Sequence, residues 1–530
     1  MSHTKRDLLT MVVLSLIVRL VVAGFVTRPG YMDPSYYTAT AVSLAQGEGL
    51  NEPFIWNYLD DPAEVSHPGF LYWMPLPSFV AMPFAALFPG SFFALQVPFA
   101  FLSALLPLVA YGIARRVTEK RWLAWSAGLM ALFSGYFFSY WTLPETFAPY
   151  ALFGSLALWL AGSWGQESEG KAPGWLVGLA VGLLVGLAHL TRADGILLLP
   201  VVVVVPLFLP GSRNANHVLR VTHYVPRFMF YHCLPIVLGY LLVMAPWIAR
   251  NLVAAGSPLS PGGTKTLWLT NYDDLFCYGC DLTLQSYLAW GWDNILSSKL
   301  SALGVNAQRF LAENCLVFAF PFAGIGFYRL RRRIPFANAL VYLAIIYMAH
   351  SVAFAYPGAR GGFFHASSAV LPFLFVAAIE GLEAAVRWVG KRRRWNVRQA
   401  TTVFAVAAVV SAAGLSIYVA GQLLPRWQRV DRVYEEIGQW MERQGVDDDA
   451  VVMVNNPPAF WYYTHHPSVV VPSGDVDALL AVADRYDVDY VVLDLNRPVG
   501  VGDVSHIRLR EVEAWGEPTP WVVVYRVVEP

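Results

Sequence analysis

Acidic side chains stand close to the ends of several apolar segments in this sequence, where a carboxylate could act as a base at a membrane surface. Asp33 lies in GYMDPSYY, shortly after the first apolar segment and between aromatic residues. Its carboxylate could take a proton from an acceptor hydroxyl, as a general base does. The spacing alone favours a simpler role, because Asp-Pro-Ser is typical of a helix N-cap followed by proline at the first helical position. The two roles are compatible.

A second acid, Glu145, occurs in YWTLPETFAPY after the third apolar segment. A helix is predicted to begin directly after it, so the carboxylate could simply stabilise the positive N-terminal end of that helix. Glu145 is also a candidate catalytic acid, since the same side of the membrane is predicted for Asp33.

The stretch NYLDDPAEVSHPGFLYW holds three acids and a histidine, at positions 60, 61, 64 and 67. Paired acids beside a histidine could bind a divalent cation through oxygen and nitrogen ligands. Such a cluster on its own is more often a solvated loop. A divalent metal therefore stays open, and the sequence predicts no other cofactor.

Three arginines follow other apolar segments: Arg192 in HLTRADG, Arg250 in PWIARN and Arg360 in YPGARGGFFH, which also contains His365. None has an obvious partner in the local sequence. A guanidinium group suits phosphate because it donates two parallel hydrogen bonds. Each arginine alone could extend to ordinary lipid phosphate. Three of them near acids favour a bound phospholipid substrate.

These residues are predicted to lie at the ends of membrane-spanning helices. Of the 530 residues, 56% are hydrophobic and 14% are charged, against about 25% charged residues in soluble domains. A helix needs about 20 apolar residues to cross the hydrocarbon core. We predict eleven spans, at residues 8–27, 94–114, 122–140, 147–163, 173–190, 194–209, 228–248, 311–329, 336–356, 366–387 and 400–420.

The basic residues indicate the orientation of these spans. In the eleven-span layout all basic clusters fall on one side, which the positive-inside rule makes cytoplasmic. They lie at residues 5–6, 115–121, 213–227, 329–333 and 391–394. A full span at 75–89 would break this agreement, and that segment contains four prolines. We therefore interpret it as an interfacial or re-entrant helix.

The layout divides the chain into a membrane core at 1–422 and a small extracytoplasmic α/β domain at 423–530. Outer loops are predicted at 28–93 and 249–310. In the tail, AVVMV, SVVVP, YVVLDL and WVVVYRV are short β-branched runs, and helical spacing separates them. The predicted fold class is therefore a polytopic α-helical membrane protein with a small α/β C-terminal domain.

Other motifs limit the function. Lys plus Arg and Asp plus Glu number 37 each, and no recognition motif indicates nucleic-acid binding. Neither a Walker motif nor GxGxxG is present. The CYGC motif at 277–280 favours a disulfide or two free thiols over a metal site, because structural zinc normally needs four ligands. Cys233 and Cys315 are predicted to pack in apolar segments.

Several segments together resemble a known family. They are MDPSYYTATAVSLAQGEGL, SHPGFLYW, GLAHLTRADGILLLP, PWIARNLVAAGSPLSP and the ARGGFFH…LPFLFVAAIEGL region. Their order over residues 8–420 resembles membrane glycosyltransferases of the C superfamily, and most nearly family 39, the dolichyl-phosphate-mannose–protein mannosyltransferase type with its bacterial and archaeal relatives.

The resemblance implies an integral enzyme of the plasma membrane that glycosylates components of the cell envelope. The basic residues at 5–6 predict that its N-terminus is cytoplasmic. A polyprenyl-phosphate sugar is the implied donor, and a lipid, glycan or protein on the outer side is the implied acceptor. The transferred sugar would be a hexose or a pentose.

The resemblance also implies roles for single residues. Asp33 is the implied base and Glu145 the second outer acid. Basic groups hold the donor phosphate, first Arg250 and Arg360 and then Arg192. His365 and His67 are further substrate-binding candidates. His67 matches the histidine of a family His-Pro-Pro triplet, which is His-Pro-Gly in this chain. The chain also has one acid at 32–34 where many members have two.

Two other functions stay open at this point. A transporter or lipid flippase would place acids or broken helices at mid-bilayer depth, often in repeated halves. The sequence shows no repeat and places most ionisable groups at helix ends. A ligase or polymerase fed by a lipid-linked sugar would use a large late loop, and the predicted loop at 249–310 is compatible with that function.

Overall fold

The computed structural model describes residues 3–163, 174–208, 229–494, 497–501, 506–516 and 521–528. Long apolar segments form helices because helices satisfy their own backbone hydrogen bonds. Apart from the single turn Ala355–Pro357, the α-helices of the described ranges are α1 (His3–Phe25), α2 (Met32–Gln46), α3 (Leu76–Leu87), α4 (Phe92–Ala104), α5 (Leu106–Val117), α6 (Arg121–Leu132), α7 (Phe147–Ser163), α8 (Gly174–Thr191), α9 (Leu198–Phe208), α10 (Leu234–Ala255), α11 (Pro261–Lys265), α12 (Leu284–Ala289), α13 (Trp292–Arg309), α14 (Phe320–Leu330), α15 (Ile334–Met348), α16 (Phe363–Ser367), α17 (Leu371–Arg393), α18 (Val397–Gln444), α19 (Pro457–Thr464) and α20 (Val476–Arg485).

Strands occur in the first predicted loop and in the tail. The strands of the described ranges are β1 (Asn51–Glu52), β2 (Phe54–Ile55), β3 (His67–Pro68), β4 (Val451–Val454), β5 (Ser468–Val470), β6 (Val488–Leu493), β7 (Leu509–Trp515) and β8 (Val522–Val527). The four β-branched runs predicted as strands are therefore confirmed as β4, β5, β6 and β8. The sequence analysis missed β7 and the strands of the first loop.

Seven helices in the described ranges are long and apolar enough to cross a membrane. They are His3–Phe25, Phe92–Val117, Gly174–Thr191, Met229–Ala255, Ile334–Ala353, Ala355–Arg393 and Val397–Gln444. Three shorter apolar helices are Leu76–Leu87, Phe147–Gly162 and Ala193–Pro206. The predicted class of polytopic helical membrane protein is confirmed. The number of eleven spans stays a prediction, and the basic cluster at 213–227 lies outside the described residues.

Two predicted spans are interrupted. In the segment 122–140, α6 ends at Leu132 and the chain turns at Gly135, which has a φ of +62°. In the segment 311–329, Leu316 and Val317 have positive φ values, and regular helix resumes only at Phe320. These turns leave α6 and α14 shorter than the apolar pattern indicates.

The chain forms two compact units. The helical unit consists of residues 1–25, 96–250 and 298–423, and the sheet unit consists of residues 26–95, 251–297 and 424–530. Most of the two predicted outer loops therefore shares one compact unit with the tail. The division into a core at 1–422 and a tail domain at 423–530 stays a prediction.

Small residues allow close helix packing in the helical unit. A β-carbon at Gly326 of α14 would lie 1.8 Å from the carbonyl oxygen of Ala377 in α17. A β-carbon at Gly381 of α17 would lie 1.8 Å from the carbonyl oxygen of Phe322. The two glycines thus let the helix backbones touch, as small residues do in membrane helix pairs.

The sheet unit is built around a mixed six-stranded sheet with the strand order β2-β5-β4-β6-β8-β7. β2, β5, β4 and β6 are parallel neighbours, whereas β8 is antiparallel to both β6 and β7. The edge strand β2 comes from the first predicted loop, where Phe54 pairs with Ser468 and Ile55 with Val469. The sheet therefore contains residues from both ends of the sequence.

The cysteines behave as the sequence indicated. Cys277 and Cys280 form a disulfide bond, so the CYGC motif is not a metal site. Cys233 and Cys315 are buried free thiols.

Candidate active site

Asp33 lies in the first turn of α2, in the sheet unit. The N-cap of α2 is Tyr31, whose backbone is extended with a φ of −161° and a ψ of 174°. The prediction that Asp33 caps the helix is wrong, because the chain enters the helix before the Asp-Pro-Ser pattern. Pro34 is tolerated inside the first turn, where backbone N–H groups have no helical acceptor. Asp33 is half-buried, at a helix end where the macrodipole favours a negative charge.

Aromatic packing fixes the helix that carries Asp33. Tyr36 and Tyr37 in α2 are almost fully buried. The ring of Tyr36 meets the ring of Trp73 edge-on, with 4.8 Å between centroids. Further along α2, the hydroxyls of Thr40 and Ser78 lie 2.7 Å apart. Because these contacts are buried, the first turn of α2 has a rigid support.

A buried glutamate that the sequence analysis missed lies under this helix. Glu52 is 2% exposed, and its carboxylate accepts hydrogen bonds from the hydroxyl of Tyr36 and, at 2.6 Å, from the backbone N–H of Phe70. Burial raises the pKa of Glu52 above its ordinary value. Its position in the short motif NEPF, beside an apolar run, is the only signal that the sequence offered.

His67, a predicted substrate-binding residue, joins two acids of the first loop. Its Nε2 lies 3.9 Å from a carboxylate oxygen of Glu52, and its Nδ1 lies 3.9 Å from a carboxylate oxygen of Asp60. Burial also raises the pKa of Asp60. Asp61 instead accepts a 2.7 Å hydrogen bond from Arg485 in α20, while Glu64 is exposed. Asp60 and His67 are therefore mostly buried, and the interpretation of this segment as a solvated loop is wrong for both.

In the helical unit, Arg192 forms a buried ion pair. Its Nε and one terminal nitrogen donate to the carboxylate of Asp194 at 3.1 and 2.8 Å. His350 lies 3.0 Å from the same carboxylate through its Nε2. The expectation that Arg192 lacks a local partner is wrong, because the chain at Arg192 is extended and a 3₁₀ turn at Ala193–Leu197 follows. Asp194 thus orients both a guanidinium group and an imidazole ring.

Glu145 and His365 come together in the helical unit. One carboxylate oxygen of Glu145 and one ring nitrogen of His365 lie within 4.8 Å of each other. The hydroxyl of Thr146 lies 2.9 Å from Nδ1 of His365, and the ring of Phe147 stacks on the imidazole with centroids 3.9 Å apart. The pair offers an oxygen and a nitrogen donor, types that suit a divalent cation.

Arg250 and Arg360 occupy different surroundings. Arg250 is half-buried near the end of α10, with its guanidinium 5.0 Å from the ring centroid of Trp247. Arg360 is exposed in a π-helical turn, Gly358–Gly362. Arg192 reaches the same turn through a 3.4 Å hydrogen bond to the carbonyl oxygen of Gly362. The structure therefore places Arg192 and Arg360 around one turn.

Residues 66–249 match the family model described as dolichyl-phosphate-mannose-protein mannosyltransferase. The match agrees with the predicted family over these residues. The match covers the segments that contain His67, Glu145, Arg192 and the residues leading to Arg250, whereas the resemblance in the sequence was predicted over residues 8–420. A comparison with curated proteins found no match.

Solved structures with the same fold cover nearly the whole chain. ArnT from Cupriavidus metallidurans, bound to undecaprenyl phosphate, is similar with a TM-score of 0.60 and 16% identity over 98% of each chain. The archaeal oligosaccharyltransferase AglB from Archaeoglobus fulgidus, in complex with an inhibitory peptide and a dolichol-phosphate, is similar with a TM-score of 0.54 and 14% identity. That match covers 93% of this chain and 70% of AglB. At these identities the likeness shows the fold.

Proposed function

We propose that the protein is a membrane glycosyltransferase that uses a polyprenyl-phosphate-linked sugar as its donor. The observation that carries the proposal is the likeness over 98% of each chain to ArnT, whose structure contains undecaprenyl phosphate. The family match over residues 66–249 supports it independently, because dolichyl phosphate is also a polyprenyl-type carrier. The transferred sugar is a hexose or a pentose, and the acceptor is a lipid, a glycan or a protein.

In the proposed reaction Asp33 is the general base. Its carboxylate takes the proton of an acceptor hydroxyl while the acceptor oxygen forms a bond to the anomeric carbon of the donor sugar. The bond between the anomeric carbon and the phosphate oxygen breaks, and polyprenyl phosphate leaves with the electron pair. Such a single displacement inverts the anomeric centre. The half-buried position of Asp33 at a helix N-terminus supports this role, because the helix dipole favours a negative charge there.

The leaving phosphate needs positive charge. We assign this role to Arg250 and Arg360, with Arg192 next, because guanidinium groups stabilise charge that develops on phosphate oxygens. Arg360 is exposed, whereas the side chain of Arg192 is mostly buried and donates to Asp194. That difference supports Arg360 as a direct phosphate ligand and Arg192 as a group that orients the turn Gly358–Gly362.

The remaining candidates bind the substrate or assist the base. We propose that Glu145 is the second acid, with His365 beside it, and that His67 orients sugar or acceptor groups. The enzyme would lie in the plasma membrane with a cytoplasmic N-terminus and an extracytoplasmic C-terminal region. Its reaction would glycosylate the cell envelope on the outer face.

The test is a donor-consumption assay. Wild type and Asp33→Asn are purified, reconstituted in liposomes and given a mixture of polyprenyl-phosphate hexoses and pentoses, with a cell-envelope extract as acceptor. Mass spectrometry then measures the loss of each lipid-linked sugar. Wild type is expected to consume one donor, and Asp33→Asn is expected to lose at least about 100-fold in rate. Asp281→Asn serves as the matched control, because Asp281 is an exposed acid.

The outcomes separate the alternatives. Equal consumption by wild type and Asp33→Asn would keep the glycosyltransferase and reject Asp33 as its base. If folded wild type moves an intact lipid-linked sugar across the liposome bilayer without consuming it, the protein is a flippase. Growth of a polymer on the lipid carrier itself would instead identify a polymerase.

A further inference from the structure

The segment that leads into α2 is held by α18, inside the sheet unit. Gly30 has a φ of +84°, a conformation that side chains rarely adopt. A β-carbon at Gly30 would lie 2.2 Å from Cβ of Trp427 in α18. The ring of Tyr31 packs against the ring of Trp427, with centroids 5.3 Å apart. The backbone before α2 therefore lies directly against α18, and only glycine fits at the closest point.

Hydrogen bonds fix the same segment. The backbone N–H of Gly30 donates to a carboxylate oxygen of Asp431 at 2.8 Å. Arg28 donates to the carbonyl oxygen of Gln428 at 3.2 Å and forms an ion pair with Glu435. Three successive turns of α18 thus contact residues 28–31.

Asp431 is an unusual residue for a structural contact. Its side chain is fully buried, and the hydrogen-bond donors to its Oδ2 are the Gly30 amide and, at 3.3 Å, the hydroxyl of Tyr463. Its Oδ1 has no hydrogen-bond partner among the described residues. A buried carboxylate with one unsatisfied oxygen destabilises a fold. If position 431 served only to pack α18 in the sheet unit, an apolar side chain would stabilise the fold more.

The contact has a direct route to Asp33. Tyr31 is the N-cap of α2, and its carbonyl oxygen accepts hydrogen bonds from the amide and the hydroxyl of Ser35 at 3.2 and 2.7 Å. The position of Gly30 and Tyr31 therefore sets the position of the first turn, which contains Asp33. A displacement at Gly30 would be transmitted to the carboxylate of Asp33 within one helical turn.

We propose that Asp431 is a positioning residue for Asp33: its carboxylate holds the Gly30 amide so that the first turn of α2 presents Asp33 in its working geometry. The inference rests on the proposed function, because it takes Asp33 as the base. It gives the C-terminal part of the chain a role in the reaction.

The first measurement does not depend on activity. Hydrogen exchange followed by mass spectrometry compares wild type, Asp431→Ala and Asp431→Asn in peptides that cover residues 28–37. Asp431→Ala removes the acceptor and is expected to raise amide exchange there at least about 10-fold, while the β4–β6 strands stay protected. Asp431→Asn keeps an acceptor oxygen and is expected to restore most of the protection. Unchanged exchange in Asp431→Ala would overturn the inference.

The second measurement is kinetic and uses the polyprenyl-phosphate sugar mixture. Asp431→Ala is expected to lower kcat about 10- to 100-fold with little change in KM, because a small displacement of a catalytic group has effects of this size. Asp431→Asn is expected to recover most of kcat. Val491→Ala is the matched control, because Val491 is fully buried in the sheet and distant in sequence from α2.

The two measurements distinguish the possible failures. If Asp33→Asn abolishes activity but Asp431→Ala keeps the wild-type kcat, the proposed function stands and the positioning role is rejected. An equal loss of kcat in Asp431→Ala and Val491→Ala would show a merely structural role. If wild type consumes no donor, the proposed function fails, and the exchange data alone decide whether Asp431 holds the first turn of α2.

Discussion

Removal of the Asp194 carboxylate is the most direct test of the buried polar network in the helical unit. In wild type, Arg192 donates two hydrogen bonds to Asp194 at 3.1 and 2.8 Å, and His350 lies 3.0 Å from the same carboxylate. The side chains of Asp194, Arg192 and His350 are only 12%, 17% and 8% exposed. Asp194→Ala would therefore leave a guanidinium group and an imidazole without their shared partner.

The structure gives the size of the effect. Breaking a buried ion pair by removing one partner costs about 3–5 kcal/mol, because the remaining charge stays buried. A change of about 1.4 kcal/mol corresponds to a factor of ten. Local opening around Asp194 should therefore become roughly 100- to 4,000-fold more frequent in Asp194→Ala, provided that the region opens separately from the whole helical unit.

Hydrogen exchange in detergent measures this opening without requiring reversible thermal unfolding. Amide exchange is followed in peptides that cover residues 188–197, and Asp484→Ala is the control in peptides of α20. Arg508 contacts Asp484 with two hydrogen bonds at 3.1 and 2.6 Å, but Asp484 is 59% exposed, so its removal should change exchange little. Less than a tenfold increase around residue 194, or an equal increase at both places, would refute the reasoning.

Three further predictions concern single residues. Burial raises the pKa of Glu52 in the folded state above its value in the unfolded chain. Between these two pKa values the folded state binds more protons than the unfolded state. The free energy of unfolding therefore falls as the pH rises through this range. Glu52→Gln should make this slope shallower in unfolding curves recorded at pH values above the ordinary pKa of a glutamate, while the raised pKa of Asp60 keeps part of the slope, and an unchanged slope would contradict the prediction. Gly30→Ala combines a positive φ with a β-carbon clash and should destabilise the sheet unit by about 2–5 kcal/mol. Gly49→Ala, with a φ of +72° and open space, should show only the smaller conformational cost in the same denaturation assay. Arg360→Gln should raise the KM for the lipid-linked donor about 10- to 100-fold, since one charge-assisted phosphate contact is lost. Arg332→Gln, which changes an exposed arginine of a different segment, should leave KM unchanged.

The sequence predicted those features that depend on local pattern. Long apolar segments correspond to helices, and runs such as AVVMV and YVVLDL correspond to strands β4 and β6. The spacing of apolar residues within a segment indicates whether it forms a helix or a strand, because this periodicity is a property of neighbouring residues in the sequence. The local sequence Asp-Pro-Ser predicted that the helix starts with Asp33 as its N-cap. In the structure α2 starts at Met32, and Gly30, two residues earlier, is held by α18.

The candidate site was predicted only residue by residue. The sequence indicated Glu145 and His365 separately, but their proximity within 4.8 Å follows from helix packing over more than 200 residues. Glu52 and Asp431 were missed because their burial is tertiary and neither belongs to a chemical motif. Asp194 stands two residues after Arg192 in the sequence, but the turn that brings the two side chains together depends on backbone angles that the sequence does not show.

The edge strand β2 has a consequence for the order in which the protein can fold. Tyr58, just after β2, bonds its hydroxyl to the carbonyl oxygen of Val470, 412 residues later in the chain. During synthesis the first loop therefore emerges long before the strand it pairs with exists, and contacts of such sequence separation form slowly. Both residues of β2 are apolar and are buried in the folded protein. Until β5 is synthesised, β2 has no partner strand and could pair with strands of other chains. Truncation of the chain before β5 would remove the partner strand of β2 and would consequently damage the fold at the opposite end of the sequence, close to Asp33.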